Sequence, residues 1–425
     1  MRSGAPARGR ATRFLLWWGL LALPACGREP GGPELRFWAF GREGEVVAEL
    51  VRGFEREHPG VRVRVQQIPW SAAHEKVLTA IVGRATPDLA QMGNTWIPEM
   101  AALGALAPVQ GPVADSAYFP GILATNIIDD TLFGLPWYVD TRVIFYRKDL
   151  LARAGFDSMP TTWDGWRQAM LALKRDAGPG QYAIFLPTNE WPPQVILGLQ
   201  QGSPLIDERG FGTFQGPEFT RAFDFLMSMY RDGLAAPVSN NTIANLYQEF
   251  ARGTFAMYLS GPWNLGEFRR RLPPELQDDW GTAPLPGPDG PGVSLAGGAS
   301  LVVFRASKHA DIAHELVEYL TRPEQQIQFY RLTGDLPARL EAWNDPMLAA
   351  DSEAVAFRTQ LTRVVPTPMV PEWEQATTKI MDFTEAAARG QQTPAAALAS
   401  LDAAVDRLLE RRRYLLERRR LATAP

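Results

Sequence analysis

The chain has 425 residues, 46% of them apolar and 21% charged, which is the composition of a globular protein and excludes a disordered one. Its length exceeds one ordinary hydrophobic core, so two domains are expected. Thirty-five prolines and 37 glycines favour many turns, and a formal net charge of −4 argues against nucleic-acid binding.

Arg2, Arg8, Arg10 and Arg13 precede an apolar run, Phe14 to Leu23, too short for a stable membrane span. Residues 1–25 therefore read as a targeting segment and not as part of the fold. Leu23-Pro24-Ala25-Cys26 resembles a bacterial lipobox, with Pro24 where a small or β-branched residue is usual. Cys26 is the only cysteine, so no disulfide can form within the chain, and its place behind an apolar run fits acylation better than packing. Cleavage there removes four arginines and no acid, taking the net charge from −4 to −8.

After a linker, 26–33, Leu35, Phe37 and Ala39 alternate with Arg36, Trp38 and Phe40 as a half-buried strand. Val47, Leu50, Val51 and Phe54 then line a helix face, and Val61, Val63 and Val65 alternate as a second strand. Strand, helix and strand at this spacing predict a βαβ unit and a parallel sheet. Val77, Leu78, Ile81 and Val82 mark the next helix, and a strand runs from Pro87 to Gly93. Gly134 and Pro136 mark a turn and Val143 to Tyr146 a strand. Lys148 begins a short helix that Gly155 closes, and Thr161 or Thr162 caps the next. A strand spans Phe255 to Leu259, with Trp263 in the Gly-Pro-Trp-Asn turn behind it. The Pro/Gly-rich stretch from Ala283 to Gly292 reads as a crossing between lobes. Beyond it Leu301 to Phe304 predicts a strand, Ile312, Leu316, Val317 and Leu320 a helix, and Thr393-Pro394 the cap of a long helix through Leu409. The basic run from Arg411 to Arg420 reads as a solvated helix end, with contact to anionic headgroups as the alternative.

His58, His74, His309 and His314 show no metal-ligand spacing, and His309 and His314 read as surface helix residues. Neither a phosphate-binding G-x-x-x-x-G-K-[ST] loop nor a G-x-S-x-G elbow occurs, so nucleotide hydrolysis and serine-esterase chemistry lack support. No cofactor, metal or catalytic group is expected.

Six blocks in order carry a resemblance: PDLAQMGNTW (Pro87 to Trp96), FGLPWYVDTRVIFYRKDLLARAGFDSMPTTW (Phe133 to Trp163), FARGTFAMYLSGPWN (Phe250 to Asn264), GGASLVVF (Gly297 to Phe304), GDLPAR (Gly334 to Arg339) and GQQTPAAAL (Gly390 to Leu398). Together they resemble family 1 of the extracellular solute-binding proteins, the carbohydrate-binding subunits of ABC importers related to maltose-binding protein. The resemblance implies a two-lobed α/β fold of the periplasmic-binding-protein class II type, with discontinuous lobes on a hinge. It implies lobes of 34–140 plus 297–342 and of 141–296 plus 343–425, with a ligand beyond the carboxyl ends of the strands. A carbohydrate ligand, an ABC permease as partner and no catalysis follow from it; a lipid anchor at Cys26 and a monomer are expected beside them. The alternatives are the same fold binding a polyamine or phosphodiester, or a secreted glycosidase using Asp140 and Glu190 as its acid pair.

Sugars need flat aromatic faces and paired acceptors and donors, and eleven tryptophans remain after residue 25. Matched onto the family, the candidate ligand contacts are Phe40 and Glu43, with Arg42 between them, then Asn94, Thr95 and Trp96, then Tyr138 and Asp140. Glu190, Trp191, Trp263, Asn264, Glu372 and Trp373 complete the set. Tyr138, Asp140 and Arg142 share one face of an extended segment, and Arg142 is expected to orient Asp140 by a charge-assisted pair.

Overall fold

The computed structural model describes residues 32–423. The targeting segment 1–25, the acylation site at Cys26 and nearly all of the linker 26–33 therefore lie outside the described residues. None of the described helices is long and apolar enough to cross a membrane.

Two sheets organise the chain. The first has six strands in the order Leu336–Pro337, Gly134–Asp140, Gly297–Val303, Leu89–Gly93, Glu34–Phe40 and Arg62–Ile68. Glu34–Phe40 lies parallel to both neighbours, as the βαβ spacing predicts. Gly297–Val303 then runs antiparallel to Leu89–Gly93 and to Gly134–Asp140, so the sheet as a whole is mixed and the predicted parallel pairing is confined to Leu89–Gly93, Glu34–Phe40 and Arg62–Ile68. The strand arriving at Gly297 comes from the other half of the molecule, which frees it from the direction a local crossover would impose.

The expectation of a half-buried first strand is also corrected. Leu35, Phe37 and Ala39 pack against Val47, Leu50, Phe54, Leu316 and Val317 on one face. Trp38 and Phe40 pack against Val77, Met92 and Trp96 on the other. Position inside a sheet covered by helices on both sides buries the strand from Phe37 onward, while Glu34 and Arg36 at its start stay exposed.

The second sheet has four strands in the order Trp280–Ala283, Val143–Arg147, Phe255–Ser260 and Tyr182–Phe185. One face carries the helices Trp163–Arg175, Pro192–Gln200, Pro217–Arg231, Trp373–Ala388 and Pro394–Leu408. Thr162 caps the first of these, accepting from the Gly165 amide at 3.1 Å, and Thr393 caps the last, accepting from the Ala396 amide at 3.2 Å. Such caps satisfy amide donors that the helix itself leaves unpaired. Gly155 follows the helix Lys148–Arg153 at φ +92°, the left-handed turn that the sequence predicts for it.

The chain leaves the first sheet at Asp140 and rejoins it at Gly297, which pairs with Asp140. Between the two sheets the connections run side by side. Ser294–Leu295 pairs with Val364–Val365, and the Thr141 hydroxyl donates to the Leu295 carbonyl at 2.9 Å. A core cluster containing Val139, Phe145, Trp280, Leu336, Trp343 and Phe357 joins strands of both sheets. Two smaller expectations are corrected: His314 is buried within the helix Ala310–Leu320, and Trp263 opens the helix Trp263–Arg271 instead of lying in a turn.

Candidate functional site

A cleft of about 500 Å³ lies where the carboxyl ends of Glu34–Phe40 and Leu89–Gly93 meet the connections between the sheets. Strands that end in parallel direct their following turns toward one edge, and these turns supply the cleft walls. Glu34–Phe40 leads into the helix Gly41–Glu57, which places Glu43 in its first turn. Leu89–Gly93 leads into the turn Asn94–Trp96. Tyr138 and Asp140 come from Gly134–Asp140, and Trp191 and Trp263 precede and open helices of the second sheet.

Glu43 sits at the centre of a buried network. Its Oε1 accepts from the Tyr138 hydroxyl at 2.8 Å and from Trp70 Nε1 at 3.2 Å. Gln91 Nε2 donates to the Tyr138 oxygen at 3.0 Å, and Gln91 Oε1 accepts from the Phe40 amide at 2.6 Å. Burial raises the Glu43 carboxyl above its ordinary range, outweighing its own backbone amide and the Tyr138 and Trp70 donors. Burial, and then the nearby Glu43 charge, likewise push Tyr138 well up, so its phenol keeps its proton and remains a donor.

Across the cleft, Arg142 Nη1 donates to Asp140 Oδ1, and the guanidinium lies 4.5 Å from the centre of the Trp263 ring. Burial works against both charges: it raises the Asp140 carboxyl above its ordinary range in spite of Arg142, while for Arg142 the Asp140 carboxylate outweighs burial and holds the arginine protonated. The pair thus clamps Trp263 from one side while its ring stays 40% exposed. Gly261 makes this fold-back feasible, because a Cβ there would overlap the Trp263 ring. Gly298, at φ +138°, has a similar role beside Asp140: a Cβ would run into the Tyr138 carbonyl.

The aromatic wall on the first-sheet side is Trp70 and Trp96, with ring centres 5.6 Å apart at 69°. Trp96 also meets His74 edge-on at 5.1 Å, and His74 Nε2 lies 2.8 Å from Glu99 Oε2. That hydrogen bond raises the His74 pKa above its ordinary value, against the opposing effect of burial. Opposite, Trp191 meets Trp373 edge-on at 5.8 Å.

Of the candidates read from sequence, Glu43, Asn94, Thr95, Trp96, Tyr138, Asp140, Trp191 and Trp263 line this cleft, together with Arg142 and Arg42. Phe40 does not: it is fully buried behind Trp96 and Trp70, since the last residue of a central strand points into the sheet's own core. Asn264 is buried beneath the cleft, donating to Ser260 Oγ at 2.6 Å and accepting from the Tyr247 hydroxyl at 2.8 Å. Trp373 is fully buried behind Trp191. Glu190 sits outside the lining and accepts from Asn240 Nδ2 at 2.6 Å. Glu372, at the helix cap beside Trp373, is outside it too. Asn94 lines the wall, but its amide is tied back to Thr125 Oγ1 at 3.0 Å.

Trp70 and Asp335 line the cleft and were missed by the sequence reading. Trp70 follows Pro69 at the start of a helix, and an exposed aromatic there was the available signal. Asp335 stands in the quoted GDLPAR block, where only its acidity marked it. Among the described residues no group of three or more His, Cys, Asp or Glu side chains could hold a metal ion.

Residues 41–327 match the family described as bacterial extracellular solute-binding protein. The chain superposes on the sugar-binding protein MalE of Xanthomonas citri with a TM-score of 0.87 and 48% sequence identity, over 91% of this chain and 99% of that one. It is 25% identical over 398 residues to a galactooligosaccharide-binding protein of Bacillus subtilis, covering 89% of this chain and 92% of the relative. It is 26% identical over 395 residues to an uncharacterized lipoprotein of Streptomyces antibioticus, covering 85% and 86% respectively.

Proposed function

Because the chain belongs to the family of bacterial extracellular solute-binding proteins, we propose that its solute is a carbohydrate, taken up in the cleft between the two sheets and handed to an ABC permease. The observation that carries this reading is the cleft wall itself. Four tryptophans, Trp70, Trp96, Trp191 and Trp263, stand beside the carboxyl groups of Glu43 and Asp140 and the guanidinium of Arg142. Flat apolar faces suit the C–H side of a pyranose, and carboxyl and guanidinium groups suit its vicinal hydroxyls. The likeness to a sugar-binding protein at 48% identity supports the same ligand class.

The lobes are 34–140 plus 297–342 and 141–296 plus 343–425, hinged where Asp140, Thr141, Ser294 and Gly297 run side by side. Groups from both sides of the hinge line the cleft, so a bound solute stabilises the closed form by its differential contacts, and the permease recognises that form. Binding and release, with no covalent chemistry, are the whole cycle. Acylation of Cys26 tethers the monomeric protein to the membrane, in keeping with a relative that is named a lipoprotein.

A thermal-shift screen of the purified protein against mono-, di- and oligosaccharides, with polyamines and phosphodiesters as controls, tests the ligand class. Saturation at about 100 times the dissociation constant stabilises the native state by about 2.7 kcal/mol, a shift of a few degrees. A response to a control and to no sugar would overturn the carbohydrate reading and leave solute binding intact.

A further inference from the structure

Three carboxyl groups converge on the cleft, from three separate segments: Glu43 from the first helix, Asp140 from the end of its strand, and Asp335 from the loop before Leu336–Pro337. Leu336 pairs with Val139, so Asp335 enters the sheet edge directly beside Asp140. The three are served unequally. Asp140 has Arg142, and Glu43 has the Tyr138 hydroxyl and the Trp70 indole. No arginine, lysine or histidine among the described residues forms an ion pair with Asp335, although it is only 6% exposed. Arg42, the other cation of the wall, turns away to Glu45 at 3.0 Å. The Asp335 amide donates to Thr333 Oγ1 at 3.0 Å, which fixes the loop.

An ionised carboxylate beside two acidic groups, with water largely excluded and no cation of its own, is costly, and the group avoids that cost by keeping its proton. Its surroundings push Asp335 well above the carboxylate range: burial first, then Glu43 and, less strongly, Asp140, against a hydrogen bond from Thr333 that only partly opposes them. A neutral carboxylic acid differs from a carboxylate in one respect that matters for recognition, because it donates a hydrogen bond. The Trp70 indole of the wall is already engaged by Glu43 and Arg142 Nη1 by Asp140, and a neutral Asp335 adds a donor beside them.

We propose that Asp335 is a specificity-determining residue that reads the bound solute as a neutral acid, donating to an acceptor-only oxygen such as the ring or glycosidic oxygen of a neutral glycoside. This rests on the carbohydrate reading above. Such a site favours uncharged acetals over cationic amino sugars, which an ionised Asp335 would prefer.

Two measurements on the purified protein test it. The first needs no ligand: urea midpoints of the wild type and Asp335→Asn are compared from about pH 5 to about pH 8. With the native pKa above the unfolded one, the wild type holds a proton that its unfolded chain has released. Its stability therefore falls as pH rises from the unfolded toward the native pKa, and the gap to Asp335→Asn widens over that window. Parallel curves would overturn the proposal whatever the ligand proves to be. The second is calorimetry with maltose as probe over the same pH range. Wild-type affinity is expected to fall by about ten-fold as pH rises, Asp335→Asn to lose that slope, and Asp335→Ala to bind more weakly at every pH. Maltose affinity that rises with pH, or glucosamine already preferred to glucose at about pH 5, would show an ionised Asp335 there and refute it. Absence of any sugar binding by the wild type would instead count against the carbohydrate reading, with the urea curves still deciding the protonation of Asp335.

Discussion

Replacing Trp263 by alanine removes the aromatic surface that the Arg142–Asp140 pair holds toward the cleft. The ring is 40% exposed; for a tryptophan of about 250 Å² this leaves about 100 Å² for a solute to cover. At about 25 cal/mol per Å² the lost contact is worth about 2.5 kcal/mol, or about a 60-fold weaker dissociation constant. The buried part of the ring contributes to folding as well, so the variant is expected to lose about 2 to 4 kcal/mol of stability. Isothermal calorimetry with the sugar selected by the thermal-shift screen, at a temperature where circular dichroism shows the variant folded, separates the two effects. An affinity within about three-fold of the wild type would refute the reasoning and make Trp263 a packing residue that the solute does not touch.

Three further outcomes follow from the same network. Tyr138→Phe deletes the hydroxyl between Glu43 and Gln91 and leaves both short of a partner; chemical denaturation should report a loss of about 1 to 3 kcal/mol. For His74 the hydrogen bond to Glu99 raises the folded pKa above the unfolded value. Its stabilisation is therefore fully present below the unfolded pKa of about 6.5 and is lost as pH rises through the folded one. His74→Gln should flatten the urea midpoint across that window, and an unchanged profile would remove His74 from the account. Cys26→Ser should release the protein from the membrane fraction, and its retention there would argue against acylation.

Much of the local structure was written in the chain. A cap at Thr161 or Thr162, the cap at Thr393, the turn at Gly155 and a strand from Phe255 to Leu259 depend on residues close in sequence, so the chain announced them, and the structure selects Thr162 and extends the strand to Ser260. The walls at Asn94–Trp96, Tyr138–Asp140 and Trp263 were legible because each stands at the end of a strand in a block that resembles the solute-binding family. Which way a side chain faces was not legible. Phe40 and Trp96 are both aromatic and both follow strands, yet Phe40 is sealed into the core while Trp96 borders the cleft. Trp191 and Trp373 stand almost two hundred positions apart and stack edge-on, one at the wall and one behind it.

What the sequence determined by itself is the set of elements and the family they belong to, since hydrophobic period, caps and turn residues act over a few positions. What only the tertiary structure decided is the company each polar group keeps. Glu43, Asp140 and Asp335 are three acids separated by 97 and 195 positions. The pairing of Gly134–Asp140 with Gly297–Val303 and Leu336–Pro337 brings them to one cleft and leaves Asp335 without a cation among the described residues, whereas the pairing of Asp140 with Arg142, two residues on, was legible in the chain. Charge and protonation depend on distance and burial in space, and the order of residues along a chain encodes neither.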